Sequence, residues 1–556
     1  MNPGKGNIRI TAWSFAVVAG ILQVWSSRFY IEPDAVNYLD IASAYRRGDW
    51  LAAINGYWSP LYSWLLLVLK QIFRPSAYWE STFLHLLNFL LFLLALSCFE
   101  FFFGRFLSLL RVWFPVVPME EDIPEWAWWV MGYAAFLLAA LRLITLKNNT
   151  PDMALAAWLF LATGLLIQIA LNEGRIFLYH AAFGIVLGAA YLTKSVMFPL
   201  SFLYICAGAS ARAGVRKPDW RGLVALFTFV LVSLPFITAL SVKEGHFTFG
   251  ETGRTAYFDQ VTGPSNESKP LHPMRKLSDQ PSLYEYADSL RSTFPPWYDG
   301  GYWYAGVRFR FNLGNQLRAI GRSISSYFHI VSTEKEWIAG WLFLAIFAAD
   351  WLDQSKRLFR LSFLWMPSLA MLSLYALVLV EPRYVAVPLA IVGIVLFASL
   401  PWPRITATRR VGTAVFLTIG ITTGITLIRG AIPDLAACLH PTPHVQWLAA
   451  KQLEHLGLAP GDRVAVLGHT TVADYWAQLA GLRIVADVPV EAVSSYWEAS
   501  PEKRAEIAAS LSALGVKAFV SAVRPPPSAE WQPLGQTGYF VEILQNPIGI
   551  KSTSNK

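Results

Sequence analysis

Glu32 and Asp34, separated only by Pro33, stand where the first apolar run of the chain gives way to polar residues. A carboxylate at such a low-dielectric boundary, with a second acid beside it, binds its proton more tightly than usual and can serve as a general base. The same position suits an Asp that caps the short helix written in "PDAVNYLDIASAY", so chemistry and capping are both open to it. A further acid, Asp152 in "KNNTPDMALAAW", follows Thr150 and Pro151, which are good helix-start signals, and capping alone accounts for it. Two cations share this boundary setting: Lys194 in "AYLTKSVMFPL" and Arg383 in "LVEPRYVAVPL" each interrupt apolar stretches. Cations there point to an anionic partner such as a lipid phosphate, or to side chains that snorkel to headgroups. In "STFPPWYDGGYWYAG", Trp297, Tyr298, Asp299, Tyr302 and Trp303 offer ring faces and polar groups that suit a sugar, with interfacial anchoring as the alternative.

The elements that must position these residues are membrane helices. Of 556 residues, 55% are hydrophobic and 15% charged, a balance too poor in charge for a soluble chain of this length. Runs at 10–24, 83–99, 153–169, 223–240, 361–380 and 384–400 approach or reach the roughly 20 residues that cross a bilayer. About eleven spans are expected. Lys5, Arg9, Arg105 and Arg111, then "ARAGVRKPDWR", "DQSKRLFR" and "PWPRITATRR", recur on one side of the alternation. Basic loops stay inside, so the expectation is a multi-pass protein of the cell (inner) membrane, N-terminus cytoplasmic and C-terminus extracytoplasmic. This places Asp34, Asp152, Lys194 and Arg383 together on the outer face. The first run reads as an uncleaved anchor, because "VWSSRFY" is a poor cleavage site. The net charge of +8 is largely this topological bias, which argues against a nucleic-acid partner. Cys98, Cys206 and Cys438 are too scattered for a disulfide framework or metal cluster.

Residues 1–430 are read as a transmembrane domain with outer loops at 28–77 and 243–328, and 431–556 as a small extracytoplasmic α/β domain. Between residues 28 and 77 the helix written in "PDAVNYLDIASAY" should lie in the interface with its tyrosines at headgroup level. In the tail, "DRVAVLG", "RIVADVPV" and "VKAFVSAV" read as strands, while "TTVADYWAQLAGL" and "SPEKRAEIAASLSALG" read as helices, an alternation that predicts a mainly parallel sheet. "VLGHTTVADYW" offers an anion site at a strand-to-helix turn but lacks a full nucleotide-binding motif.

"EPDAVNYLDIA", "GYWSPLYSWL", "NTPDMALAAWL", "YLTKS" and "PRYVAVPL", in this order and on this side, resemble the GT-C superfamily of polyprenyl-phosphate-sugar-dependent glycosyltransferases, in its protein O-mannosyltransferase and aminoarabinose transferase-like branch. The resemblance covers roughly residues 8–400. It implies a polyprenyl-phosphate sugar donor, an envelope acceptor (lipid, glycan or protein) and inversion at the anomeric carbon. It further implies that Asp34, with Glu32 and Asp152, supplies the catalytic acids, and that Lys194 and Arg383 hold the donor phosphate. Ser59, Pro60, Leu61 and Tyr62 match the family's juxtamembrane element. The substrate cavity would then be shaped by Tyr38, Tyr57, Trp58, Pro60, Tyr62, Arg254, Trp297, Tyr298, Asp299 and Trp303. The family leaves a divalent cation optional, and the sequence shows no His or Cys ligand set for a metal. Two features depart from the pattern: Glu32-Pro33-Asp34 replaces an adjacent Asp-Glu, and the tail is not a β-trefoil. The rival is a secondary transporter or flippase of a lipid-linked saccharide, which predicts paired halves and ionisable residues near mid-membrane.

Overall fold

A bilayer offers no hydrogen bonds, so apolar runs without charge must pair their own backbone groups and become helices. The structure, a computed structural model, describes residues 5–115, 123–171, 176–211, 219–262, 275–286, 292–299, 311–347, 351–401, 406–469, 474–527, 529 and 531–544. After α1 (Lys5–Ser26) come two shorter helices, α2 (Pro33–Arg47) and α3 (Pro60–Phe73), and then α4 (Glu80–Trp113). The bundle continues with α5 (Glu125–Leu137, extended by a wider turn over Leu138–Ile144), α6 (Asp152–Leu171), α7 (Ile176–Thr193), α8 (Met197–Ser210) and α9 (Gly222–Glu244). Its last part is α10 (Leu313–Thr333), α11 (Lys335–Phe347), α12 (Trp351–Arg360), α13 (Ser362–Ala376), α14 (Pro382–Ser399) and α15 (Thr406–Leu439).

Among the described residues, eight helices are long and apolar enough to cross a membrane, or nine if α12 and α13, bent by 79°, form one span. Two further apolar helices, α3 and α8, have 14 residues each and are shorter than a bilayer's apolar thickness. The chain is therefore a polytopic helical membrane protein. Phe92, Phe99, Phe102, Phe103 and Phe106 of α4 form its buried aromatic spine. Helices α7 and α9 meet closely at Gly184 and Gly188, where an added Cβ would lie 2.1 Å from the Ala225 carbonyl oxygen and 2.6 Å from Val232.

Helix α2 corrects one expectation. It buries Ala35, Val36, Asn37, Tyr38, Leu39, Ile41, Ala42 and Ala44, which cover almost every face. It is thus enclosed by protein, and Tyr38 packs inside the molecule rather than facing lipid. An amphipathic pattern alone does not distinguish a lipid surface from a protein lid that covers it.

Beyond α15, which runs past residue 430 to Leu439, lies a seven-stranded sheet in the order β1-β2-β4-β3-β5-β7-β6. Its strands are β1 (Arg275–Asp279), β2 (Ser282–Glu285), β3 (Arg463–His469), β4 (Arg483–Pro489), β5 (Val516–Ser521), β6 (Gln532–Pro533) and β7 (Phe540–Ile543). The three strands expected from the sequence are the parallel centre, β4-β3-β5. All four remaining pairings are antiparallel, so the sheet is mixed rather than mainly parallel. Strands β1 and β2 come from the loop 243–328, with Tyr284 opposite Asp487. Helices α16 (Val445–His455), α17 (Tyr475–Leu479) and α18 (Pro501–Ala513) cover the sheet. As expected, Ser500 caps α18 by accepting from the Lys503 amide, and Gly515 at φ +75° follows its end. The turn proposed for an anion falls partly at 470–473, outside the described residues.

Candidate active site

The chain leaves α1, and Pro33 at the first position of α2 sets the direction of the next turn. Glu32 is the N-cap residue, and its side chain makes no capping bond. Asp34, in the first turn, is spared that work as well: its Oδ2 lies 3.5 Å from Nη2 of Arg383, from the start of α14. The Asp34 side chain is 20% exposed. Burial and the neighbouring Glu32 charge push its carboxyl up to about 6, against the downward pull of Arg383.

Arg383 gathers all three acids picked out in the sequence. Its Nε is 3.9 Å from Asp152 Oδ2, and its Nη1 is 4.0 Å from Glu32 Oε1. At that distance Nη1 is a buried donor with no hydrogen-bond partner among the described residues. Asp152, at the first position of α6 and almost fully buried, binds Lys194 Nζ at 2.5 Å and accepts a hydrogen bond from the Thr150 hydroxyl at 2.8 Å. Capping is therefore not its main contact. Burial pushes the Lys194 ammonium below its ordinary range, while Asp152 opposes that shift. Lys194 lies 4.0 Å from the Tyr384 ring centroid, and Arg383 Nη2 is 3.3 Å from the Tyr384 hydroxyl.

Around this cluster the first loop and the loop 243–328 are bonded together. Asn55 donates to the Tyr298 carbonyl at 2.7 Å and accepts from the amides of Tyr57 and Trp58. Trp58 donates to the Trp297 carbonyl, and Asp40 accepts from the amide and hydroxyl of Thr293. Tyr38 packs edge-on against Trp58 and Tyr62, and the Tyr62 hydroxyl donates to Asn88. Pro60 is buried at the start of α3. Tyr57 is near enough to Asp34 for that charge, added to burial, to raise its phenol. Gly250, at φ +148°, brings the loop 243–328 against Ser195, next to Lys194, where a Cβ would come within 2.8 Å.

The aromatic expectation needs correction. Tyr298 is 1% exposed, and its hydroxyl donates to the Ala52 carbonyl. Trp58 and Tyr62 are likewise buried. These rings are the wall that fixes the loops, and their faces are filled by protein. Trp297 is partly buried against them, Asp299 closes the short helix Pro295–Tyr298, and Arg254 is half exposed, 3.8 Å from Glu251. Tyr302 and Trp303 lie outside the described residues. Thr150, Asn55 and Tyr384 were not singled out as site residues, although Thr150 and Tyr384 adjoin chosen ones in "NTPD" and "PRY".

A divalent cation does not fit here. Among the described residues no three His, Cys, Asp or Glu side chains stand close enough to share an ion, and Arg383 takes the space between Glu32, Asp34 and Asp152. The arrangement can accept a proton at Asp34 and hold an anion at Arg383 and Lys194.

No family model matches the chain, and no curated protein matches it significantly. Among solved structures it is similar to ArnT from Cupriavidus metallidurans in the apo state, at 14% identity over 97% of this chain and 99% of that one, with a TM-score of 0.51. ArnT bound to undecaprenyl phosphate gives 14% identity over 96% and 97% of the two chains, again at 0.51. The archaeal oligosaccharyltransferase AglB from Archaeoglobus fulgidus gives 13% identity over 92% of this chain and 69% of its own, at 0.47. The chain thus shares the fold of ArnT.

Proposed function

We propose that the chain, a membrane protein with the GT-C fold, is a glycosyltransferase. It moves a sugar from a polyprenyl monophosphate to an envelope acceptor (a lipid, a glycan or a protein) on the membrane face that carries Asp34. The carrying observation is the buried Arg383 Nη1, which lacks a hydrogen-bond partner among the described residues and sits beside Lys194 and a carboxyl poised near 6. A phosphate oxygen satisfies such a donor, and a poised carboxyl suits proton transfer near neutrality.

In this reading Asp34, ionised above about pH 6, takes the proton of an acceptor hydroxyl or amine. The acceptor atom bonds to the anomeric carbon from the side opposite the phosphate, so configuration inverts. The carbon–oxygen bond to phosphate breaks, and the polyprenyl phosphate leaves with its bonding electrons. Arg383 and Lys194 meet the charge gained by the phosphate, and Asp152 and Thr150 hold Lys194 in place.

A groove supports this reading of the carrier's tail. Ala386, Ala390, Gly393 and Phe397 follow Arg383 along one side of α14 at helical spacing. They line a mainly apolar cavity of about 320 Å³ between α5, α10, α11 and α14. A polyprenyl chain in this groove would leave its phosphate at the Arg383 end. The basic loops support an inner-membrane orientation with the N-terminus cytoplasmic.

The test is transfer of labelled sugar from a panel of polyprenyl-phosphate donors in membranes with and without the protein. Label in acceptor and free polyprenyl phosphate, both dependent on the protein, are expected. Movement of intact lipid-linked sugar across vesicles without cleavage would instead support the flippase reading.

A further inference from the structure

The far end of the bundle holds a second cavity, of about 750 Å³, unrelated to the acid cluster. Helix α4 begins beside Tyr30, whose carbonyl contacts His85, and its 34 residues extend ~50 Å to Trp113. Trp113 is where the cavity lies, walled by α8, α12 and α13. Its volume falls within the ~300–1,000 Å³ usual for ligand sites.

The cavity has both polar and apolar lining residues. Arg360, Ser362 and Ser210 supply its polar groups, and Leu203, Ala207 and Ala370 line a crevice between α8 and α13. Arg360 stands 5.4 Å from the Trp113 ring centroid and 5.1 Å from that of Phe114, and has no carboxylate partner among the described residues. Its neighbour Arg357, by contrast, is paired with Asp353 at 2.7 Å.

Helix α12, "WLDQSKRLFR", shows how this cavity meets the bilayer. It turns 79° from α13 and exposes Trp351, Leu352 and Phe359, at 61%, 74% and 77%. The same helix carries Lys356, Arg357 and Arg360 against the single acid Asp353, an excess of two positive charges. A short helix with large exposed apolar residues and excess cations lies in the plane of a membrane interface and attracts anionic lipid.

We propose that this cavity binds an anionic phospholipid of the adjoining leaflet, its phosphate at Arg360 and one acyl chain between α8 and α13. The site is independent of the proposed transfer reaction and lies at the other face.

The test uses the full chain in phosphatidylcholine nanodiscs doped with phosphatidylglycerol, with retained lipid counted by native mass spectrometry. One phosphatidylglycerol should stay on each wild-type chain. Arg360→Glu should weaken its retention by about 10- to 100-fold, the loss expected for hydrogen bonds to a charged group. Ala207→Phe, which fills the crevice from a different helix, should do the same, while Arg360→Lys should keep most of it. Melting temperatures in pure phosphatidylcholine show which variants are folded, and only those are scored. Equal retention of the two phospholipids, displacement by an equal amount of polyprenyl phosphate, or unchanged retention in folded Arg360→Glu would overturn the proposal.

Discussion

Asp152 is the residue on which the cation side of the site depends. It is held by Thr150 and in turn holds Lys194 and Arg383. Lys194 is the more dispensable of the two cations, because Arg383 also approaches Glu32 and Asp34. Lys194→Ala should therefore leave a folded protein whose KM for the lipid-linked donor rises about tenfold or more, as for loss of one charge-assisted contact. Steady-state kinetics over a donor titration check this; an unchanged KM would remove Lys194 from phosphate binding. Asp34, Asp152, Lys194 and Arg383 were legible in the sequence because ionisable residues at the edges of apolar runs are costly to keep. Thr150 and Tyr384 were not, since a threonine at a helix start and a tyrosine near a membrane boundary have ordinary explanations.

The elements show where pattern reading ends. Strands β3, β4 and β5 are apolar runs between turn signals, and were readable for that reason. Strand β1, "RKLSD", is mostly exposed and pairs with β2, which in turn pairs with β4. Strand β4 has a titrating group. Asp487, 7% exposed opposite Tyr284, is pushed up to about 7 by burial, and the nearby Asp474 is raised as well. A carboxyl raised on folding stabilises the fold at low pH and loses that contribution as pH climbs through its folded value. Asp487→Asn should thus melt higher than wild type at pH 8, by a margin on the order of 3 kcal/mol that shrinks toward pH 4. Thermal melts across this range measure it, and a margin that grows toward low pH would contradict the assignment.

For the whole molecule, the loop 243–328 and the tail share one sheet. The hairpin β1-β2 extends the tail's sheet, while Trp297, Tyr298 and Thr293 from the same loop hold the first loop that carries the acids. Truncation after Leu439 should therefore damage more than the tail. We expect new protease cleavage between residues 275 and 299 and a lower melting temperature for the membrane part, measured by limited proteolysis and thermal shift. An unchanged digestion pattern would mean the hairpin stands alone. The sequence suggested a separate tail because connections between distant segments leave no trace in local periodicity.

The central claim, that Asp34 is the base of a transfer reaction, is tested most directly by the pH dependence of sugar transfer in wild type and Asp34→Asn at matched expression. Wild type should gain rate through about pH 6 and level off above it. The variant should lose this limb and fall by roughly 10²- to 10⁴-fold on the plateau. Transfer by Asp34→Asn at the wild-type rate, with the same pH profile, would contradict it.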